Sequence, residues 1–65
     1  MDAERISRLL QKLRGDRSRE EVANAVGISV SALAMYENAA RIPRDETKRK
    51  LADYYGKTVQ EIFFD

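Results

Sequence analysis

Three residues, Ser18, Gly27 and Ser29, decide what the middle of this chain can become. Ser18-Arg19-Glu20-Glu21 has the S-x-x-E form of a capping box, in which the Ser18 hydroxyl accepts from the Glu21 amide and the Glu21 carboxylate reaches back to the Ser18 amide. A helix opened there runs over 19–26 with Val22, Ala23 and Val26 as its apolar positions, and Gly27 then supplies the left-handed residue that closes a helix without a Cβ penalty. Only Ile28 separates that glycine from Ser29, the N-cap of a further helix over 30–37 whose inward positions are Leu33 and Tyr36, with small Ala32 and Ala34 around them. Two short helices joined by a turn of three or four residues cross at a large angle, which needs a small residue where their backbones approach. Ala23 is that residue.

The flanks read as helices too. Ile6, Leu9, Leu10 and Leu13 fall at i, i+3, i+4 and i+7, which predicts an amphipathic helix over about 3–14 with Arg5, Arg8, Lys12 and Arg14 turned outward, ended by Gly15-Asp16. Arg41-Ile42-Pro43-Arg44 reads as an extended connection, because the residue before a proline avoids the helical region. Asp45 and Glu46 then favour the start of a fourth helix, whose stripe of Leu51, Ala52, Tyr54 and Tyr55 runs up to Gly56. Thr58-Val59-Gln60-Glu61 is a second capping box, opening a last single turn that carries Val59, Ile62 and Phe63. No strand pattern, repeat or linker is present, so residues 1–65 are expected to form one all-α domain, a compact bundle of five short helices.

Composition removes most chemistry. With no Cys and no His, disulfides, thiolate and imidazole catalysis and the usual zinc sites are excluded, leaving carboxylates as the only acids or bases. The expectation is a protein that is not an enzyme and needs no metal, cofactor or small-molecule ligand: 65 residues in five helices leave little space for a pocket of the usual ~300 Å³. No apolar run approaches the ~18 residues of a membrane span, and Met1-Asp2-Ala3-Glu4-Arg5 alternates charge instead of leading into a signal peptide. A cytoplasmic location follows as an expectation.

Charge is distributed in a way the net value of +1 conceals. Residues 1–20 carry six basic and four acidic groups, and residues 41–50 carry five basic against Asp45 and Glu46; between them, from Val22 to Ala40, the only charge is Glu37. A nearly uncharged segment between two net-positive ones suits a surface pressed onto a polyanion while its rims hold phosphates. The same pattern suits a buried central hairpin with solvated flanks. Lone Glu37 reads as a structural partner for an arginine of the first or second helix, not as a catalytic acid.

Counting Arg19 as the first place, Ala23 is fifth, Gly27 ninth, Leu33 fifteenth and Tyr36 eighteenth, which is the helix-turn-helix spacing over about 19–38. On these residues the chain resembles the phage-repressor and Cro-like helix-turn-helix domains (lambda-repressor-like, or xenobiotic-response-element, regulators). Arg19-Glu20-Glu21-Val22-Ala23 is similar to the family's Q-E-E-L-A, and Gly27-Ile28-Ser29-Val30-Ser31-Ala32-Leu33 to its G-I-S-x-S-T-I. The stretch from Tyr36 to Pro43 is similar to its Y-E-N-G-x-R-x-P, and that from Tyr54 to Phe63 to its closing L-G-V-S-x-x-E-L-F. The resemblance covers nearly the whole chain. It implies a five-helix, bacterial or phage-encoded, nucleoid-associated regulator that binds double-stranded operator DNA, commonly as a homodimer.

What the resemblance implies for single residues follows position by position. The third helix would lie in the major groove with Val30, Ser31, Ala32, Ala34 and Met35 as base-contacting places, of which Ser31, Ala32 and Met35 are best aimed. None is a bidentate donor, so Val30, Ala32 and Met35 offer contact with thymine methyls and Ser31 one hydroxyl. Phosphate contacts are expected from Arg19, where relatives carry a Gln, from Ser29 at the capped helix start, from Asn38 and Arg41 in the following loop, and from Arg44 and Arg17. Ala39 departs from the usual glycine; if the turn needs a positive φ, alanine costs about 1 kcal/mol there. Tyr54 and Tyr55 read as core and rim. Phe63 and Phe64 are adjacent and cannot both face one small core, so one of them is a dimer-contact candidate.

The function that fits is a sequence-directed DNA-binding transcriptional regulator, a repressor, switched by a protein partner, degradation or competition for its operator. The alternative is a protein-interaction module of the same fold, antitoxin-like or a phage accessory protein, docking a partner on the apolar third helix. Arg19, Arg41 and Arg44 discriminate between them, since a protein-docking helix has no need of a basic rim.

Overall fold

The structure is a computed structural model that describes residues 1–64. Five helices follow in chain order: α1 (Ala3–Arg14), α2 (Arg19–Val26), α3 (Val30–Glu37), α4 (Asp45–Tyr55) and α5 (Val59–Phe63). Among the described residues no helix is long and apolar enough to cross a membrane. The helix limits follow the local chemistry. Asp2 caps α1 by accepting from the Glu4 and Arg5 amides, Ser18 caps α2, Ser29 caps α3, and Thr58 with Glu61 completes a reciprocal box on α5. At Ser18 the box is only half formed: its hydroxyl accepts from the Glu21 amide at 3.0 Å, and the Ser18 amide makes no return bond to the Glu21 carboxylate among the described residues. At Thr58 the returning amide bond to the Glu61 carboxylate, 2.8 Å, holds that carboxyl below the usual range.

One apolar cluster joins all five helices: Ile6 and Leu10 of α1, Val22, Ala23 and Val26 of α2, Leu33 and Tyr36 of α3, Leu51 and Ala52 of α4, and Ile62 and Phe63 of α5. Ala23 is fully buried, as a close crossing of α2 and α3 requires. Of the four basic residues expected to point outward on α1, Arg8 and Lys12 do. Arg5 and Arg14 turn back instead: Arg5 Nη2 donates to the Ile62 carbonyl at 2.7 Å, tying α1 to α5, and Arg14 pairs with Glu37. Their long side chains reach around the helix to groups that the periodicity of α1 cannot foresee.

Glu37 is fully buried and holds three helices together. Arg14 Nε of α1 donates to Oε2 at 2.9 Å, Arg19 Nε of α2 donates to Oε1 at 2.9 Å, and Gln11 Nε2 donates to the Glu37 main-chain carbonyl at 2.6 Å. The pairing raises the Arg14 guanidinium above its ordinary range, chiefly through the hydrogen bond to Glu37. Removing one partner of such a cluster strands charge in a poorly solvated place.

Three helices end alike. The amides of Ile28, Ala40 and Lys57 donate to the carbonyls five residues back, Ala23, Met35 and Ala52, at 3.0, 2.9 and 2.9 Å. The residue enclosed by each bond is left-handed: Gly27 at φ 86, Gly56 at φ 68 and Ala39 at φ 61. Ala39 is the one non-glycine residue with positive φ among the described residues, so the termination of α3 imposes on an alanine the conformation that glycine adopts freely.

Behind α2, the Arg17 guanidinium lies 5.2 and 5.5 Å from the Tyr54 and Tyr55 ring centres. The Tyr55 hydroxyl is enclosed without a hydrogen-bond partner among the described residues, and burial pushes its pKa from 10.0 up to about 12.

Three stability measurements follow. Ala39→Gly should stabilise the domain by about 0.5–1 kcal/mol in urea unfolding, the relief of left-handed strain being partly offset by the freer unfolded chain. Glu37→Gln should cost about 3 kcal/mol, toward the lower end for a broken buried pair because both guanidiniums reach solvent, and that is most of the stability of a domain this small. Tyr55→Phe should leave stability unchanged or raise it by up to about 1 kcal/mol at neutral pH. Because the folded pKa of Tyr55 is raised, the wild-type protein should lose stability relative to Tyr55→Phe as pH climbs from 10 toward 12, where the unfolded tyrosine ionises first.

Candidate nucleic-acid interface

The start of α3 is built by the turn before it. Gly27 and Ile28 both donate to the Ala23 carbonyl, at 2.8 and 3.0 Å, and Ile28 packs partly against the core. That brings Ser29 directly to the cap position, where its hydroxyl accepts from the Ala32 amide at 3.0 Å. Leu33, Tyr36 and Glu37, at i, i+3 and i+4, are buried, so the helix is pinned along one stripe. Ser31, Met35 and Asn38, at i, i+4 and i+7, lie on the opposite side, with Ala34 beside them and Val30 at the open end, 37% exposed.

Of the five residues expected to meet bases, Val30 and Ser31 are exposed and Ala34 and Met35 half-exposed on the outer side. Ala32 departs from expectation: it is half-buried and packs against the core cluster, because its position on the helix lies next to Leu33 and Tyr36 on the inner flank. α3 carries one ionisable acid, Glu37, and that carboxylate is consumed by Arg14 and Arg19. The outer side of the helix is therefore uncharged and mostly apolar.

Around it the basic residues divide into two kinds. Arg41 and Arg44 are exposed, and their side chains enter no ion pair or hydrogen bond among the described residues. Arg44 stands at the N-cap position of α4 and makes no side-chain cap bond there. Arg19 is intermediate: its Nε is committed to Glu37, its side chain is 34% exposed, and its terminal nitrogens make no further hydrogen bond among the described residues. Arg17 belongs to the fold instead. It donates to the Leu13 carbonyl at 2.6 Å, the Arg14 carbonyl at 3.1 Å and the Tyr54 hydroxyl at 3.2 Å, and it stacks on two rings, so its expected phosphate role gives way to locking the α1–α2 turn. A short-range turn bond and a contact 37 residues away converge there, and only the first is local in sequence.

Ser29 and Asn38 sit at the two ends of α3, both exposed, Asn38 as its C-cap. The cluster of Glu37 with Arg14 and Arg19 holds two positive charges against one negative, a surplus of one, and Arg19 brings it to the surface beside α3. Gln11 and Arg14, not among the expected site residues, orient the end of α3 from α1; the lone charge at Glu37 signals that a cationic partner exists but not which one. At the far end, Phe63 is core and drops out as a dimer contact, whereas Phe64 is 40% exposed with the Lys48 amine 4.8 Å above its ring. Lys48 is itself buried, its amine also 5.8 Å from the Phe63 ring centre.

These features can be compared with known proteins. A family model described as helix-turn-helix matches residues 6–62. Over 50 residues the chain is 38% identical to the cryptic phage CTXphi transcriptional repressor RstR of Vibrio cholerae, covering 77% of this chain and 45% of that protein. The chain thus corresponds to less than half the length of that relative. No solved structure gives a significant match. With the match extending from the first core residue of α1 to the last turn of α5, the chain belongs to the helix-turn-helix family, of the phage-repressor and Cro-like kind.

Proposed function

We propose that this protein is a sequence-directed double-stranded DNA-binding transcriptional regulator, a repressor, with α3 in the major groove. The observation that carries the reading is the contrast between the uncharged outer side of α3 and the exposed, unpaired guanidiniums of Arg41 and Arg44 beside it, joined by the half-exposed Arg19. An uncharged helix presented to a polyanion between cationic rims is arranged for groove entry with phosphate clamping. Ser29 and the amides at the start of α3 add donors aimed at one phosphate, and Asn38 adds another at the far end.

On this reading the chain binds its ligand and does not transform it, and it works in the cytoplasm on nucleoid DNA. A homodimer placing two α3 helices about one helical turn apart would use the surface around Phe64. The relative's name, a phage transcriptional repressor, supports repression as the outcome.

The test is fluorescence-anisotropy binding to a random duplex pool at about 50 and 200 mM salt, with sequencing of the retained fraction. The three cationic phosphate contacts, Arg19, Arg41 and Arg44, predict that affinity falls by roughly 40-fold between the two salts, and a two-fold motif should be enriched. Arg41→Ala and Arg44→Ala should each lower the salt slope by about 0.9 and weaken all sequences alike, because neither removes a contact the fold uses. Absence of binding at low salt, or salt slopes unchanged by both substitutions, would count against the proposal.

A further inference from the structure

We propose that α3 reads pyrimidine C5-methyl groups in the major groove, so that the protein accepts 5-methylcytosine in place of thymine at contacted positions and discriminates against uracil there. This rests on the DNA-binding reading above and specifies the chemistry that is read.

The inference comes from what the fold leaves on the outer side of α3. Leu33, Tyr36 and Glu37 are buried, and Ala32 packs on the core. The Glu37 carboxylate, the helix's single charge, accepts three hydrogen bonds from Arg14 and Arg19. What remains outward is Val30, Ser31, Ala34 and Met35: three apolar side chains and one hydroxyl. Bidentate recognition of guanine or adenine requires Arg, Lys, Asn or Gln, and none stands on this face within α3; Asn38, on the same side, is the C-cap beyond its last residue, at the end of the helix away from Val30 and Ser31. The feature of a base-pair edge that an apolar side chain distinguishes is the methyl group at pyrimidine C5.

Thymine and 5-methylcytosine carry that methyl at the same ring position and differ beside it, thymine presenting an acceptor oxygen and 5-methylcytosine a donor amine at C4. A side chain with a fixed hydrogen-bonding sense would separate the two. Ser31 has a hydroxyl that both donates and accepts, so it serves either base. Uracil keeps thymine's hydrogen-bonding edge and lacks only the methyl. Small Ala34 lets the helix backbone approach the groove floor closely enough for Val30 and Met35 to touch such a methyl, and Arg41 and Arg44 supply the charge complementarity that favours a groove over an apolar protein partner.

The experiment uses the full chain and the duplex enriched from the random pool, with affinities measured by anisotropy at one fixed salt. Each motif thymine is replaced singly by deoxyuridine, and each motif T·A pair by C·G or by 5-methyl-C·G. Replacement of a contacted thymine by uracil should weaken binding about 4-fold, the worth of one buried methyl. At the same positions 5-methylcytosine should recover most of the affinity that cytosine loses. In Val30→Ser at the open end of α3 and Met35→Ala on its outer side, both clear of the core cluster, the thymine-to-uracil ratio should fall to one at the base pair each side chain touches. Equal affinity for thymine and uracil throughout, or discrimination that persists in both variants, would overturn methyl readout while leaving DNA binding intact. Failure to bind any duplex at low salt would overturn the DNA-binding reading itself and this inference with it, assigning the apolar side of α3 to a protein partner.

Discussion

The carboxylate of Glu37 sits at the last turn of α3 with no exposure to solvent, and everything about the presentation of that helix depends on how it is satisfied. A carboxylate so placed forfeits its hydration, which is tolerable only if donors replace water on its oxygens. Arg14 supplies donors from α1 and Arg19 from α2, while Gln11 takes the adjoining main-chain carbonyl. Apolar contacts alone allow α3 to slide or rotate on its neighbours at modest cost. Charged hydrogen bonds at 2.9 Å from two other helices do not, because they are directional and costly to leave unmade.

The same cluster shapes the electrostatics of the outer surface. By drawing its only charge inward, α3 presents a face without any ionised group, and by pairing one carboxylate with two guanidiniums the fold leaves a positive surplus next to that face. Arg41 and Arg44 extend it along the segment leading into α4, where buried Pro43 anchors the chain between them. Charges committed to the fold and charges left free are thus separable by their hydrogen bonds: Arg14 and Arg17 are spent on the fold, the side chains of Arg41 and Arg44 are not, and Arg19 divides between the two. Left-handed strain at Ala39 lies in this same segment, at the exit of α3, so the loop that carries the basic rim is held in its path by a terminating bond that costs the alanine some stability.

The local rules of helix beginnings and ends carry far in this chain. Ser18, Ser29, Thr58, Gly27 and Gly56 each act within a few residues of themselves, and the limits they set for α2 to α5 fall where those residues place them, as do the inward positions Ile6, Leu10, Val22, Ala23, Leu33 and Ile62. The outward placement of Ser31 and Met35 was legible for the same reason, since a helix of known limits and known inner stripe has only one outer side, whereas Val30 is exposed because it stands in the open first turn. Ala32 was not legible, because a short side chain on the flank is assigned to core or solvent by the curvature of the neighbours it meets.

Local chemistry along the chain thus sets the helices, the helix-turn-helix spacing and the need of Glu37 for a cationic partner. All of these follow from interactions spanning a few residues or from the absence of competing charge. Tertiary structure decided which arginines answer Glu37, that Arg17 stacks on Tyr54 and Tyr55, that Phe63 enters the core and Phe64 does not, and that Arg41 and Arg44 remain available. The physical reason is reach: an arginine side chain spans enough distance to choose among several acceptors, and the choice is made by residues such as Ile62, Tyr54 and Glu37 that lie 57, 37 and 23 positions away from the arginines they engage.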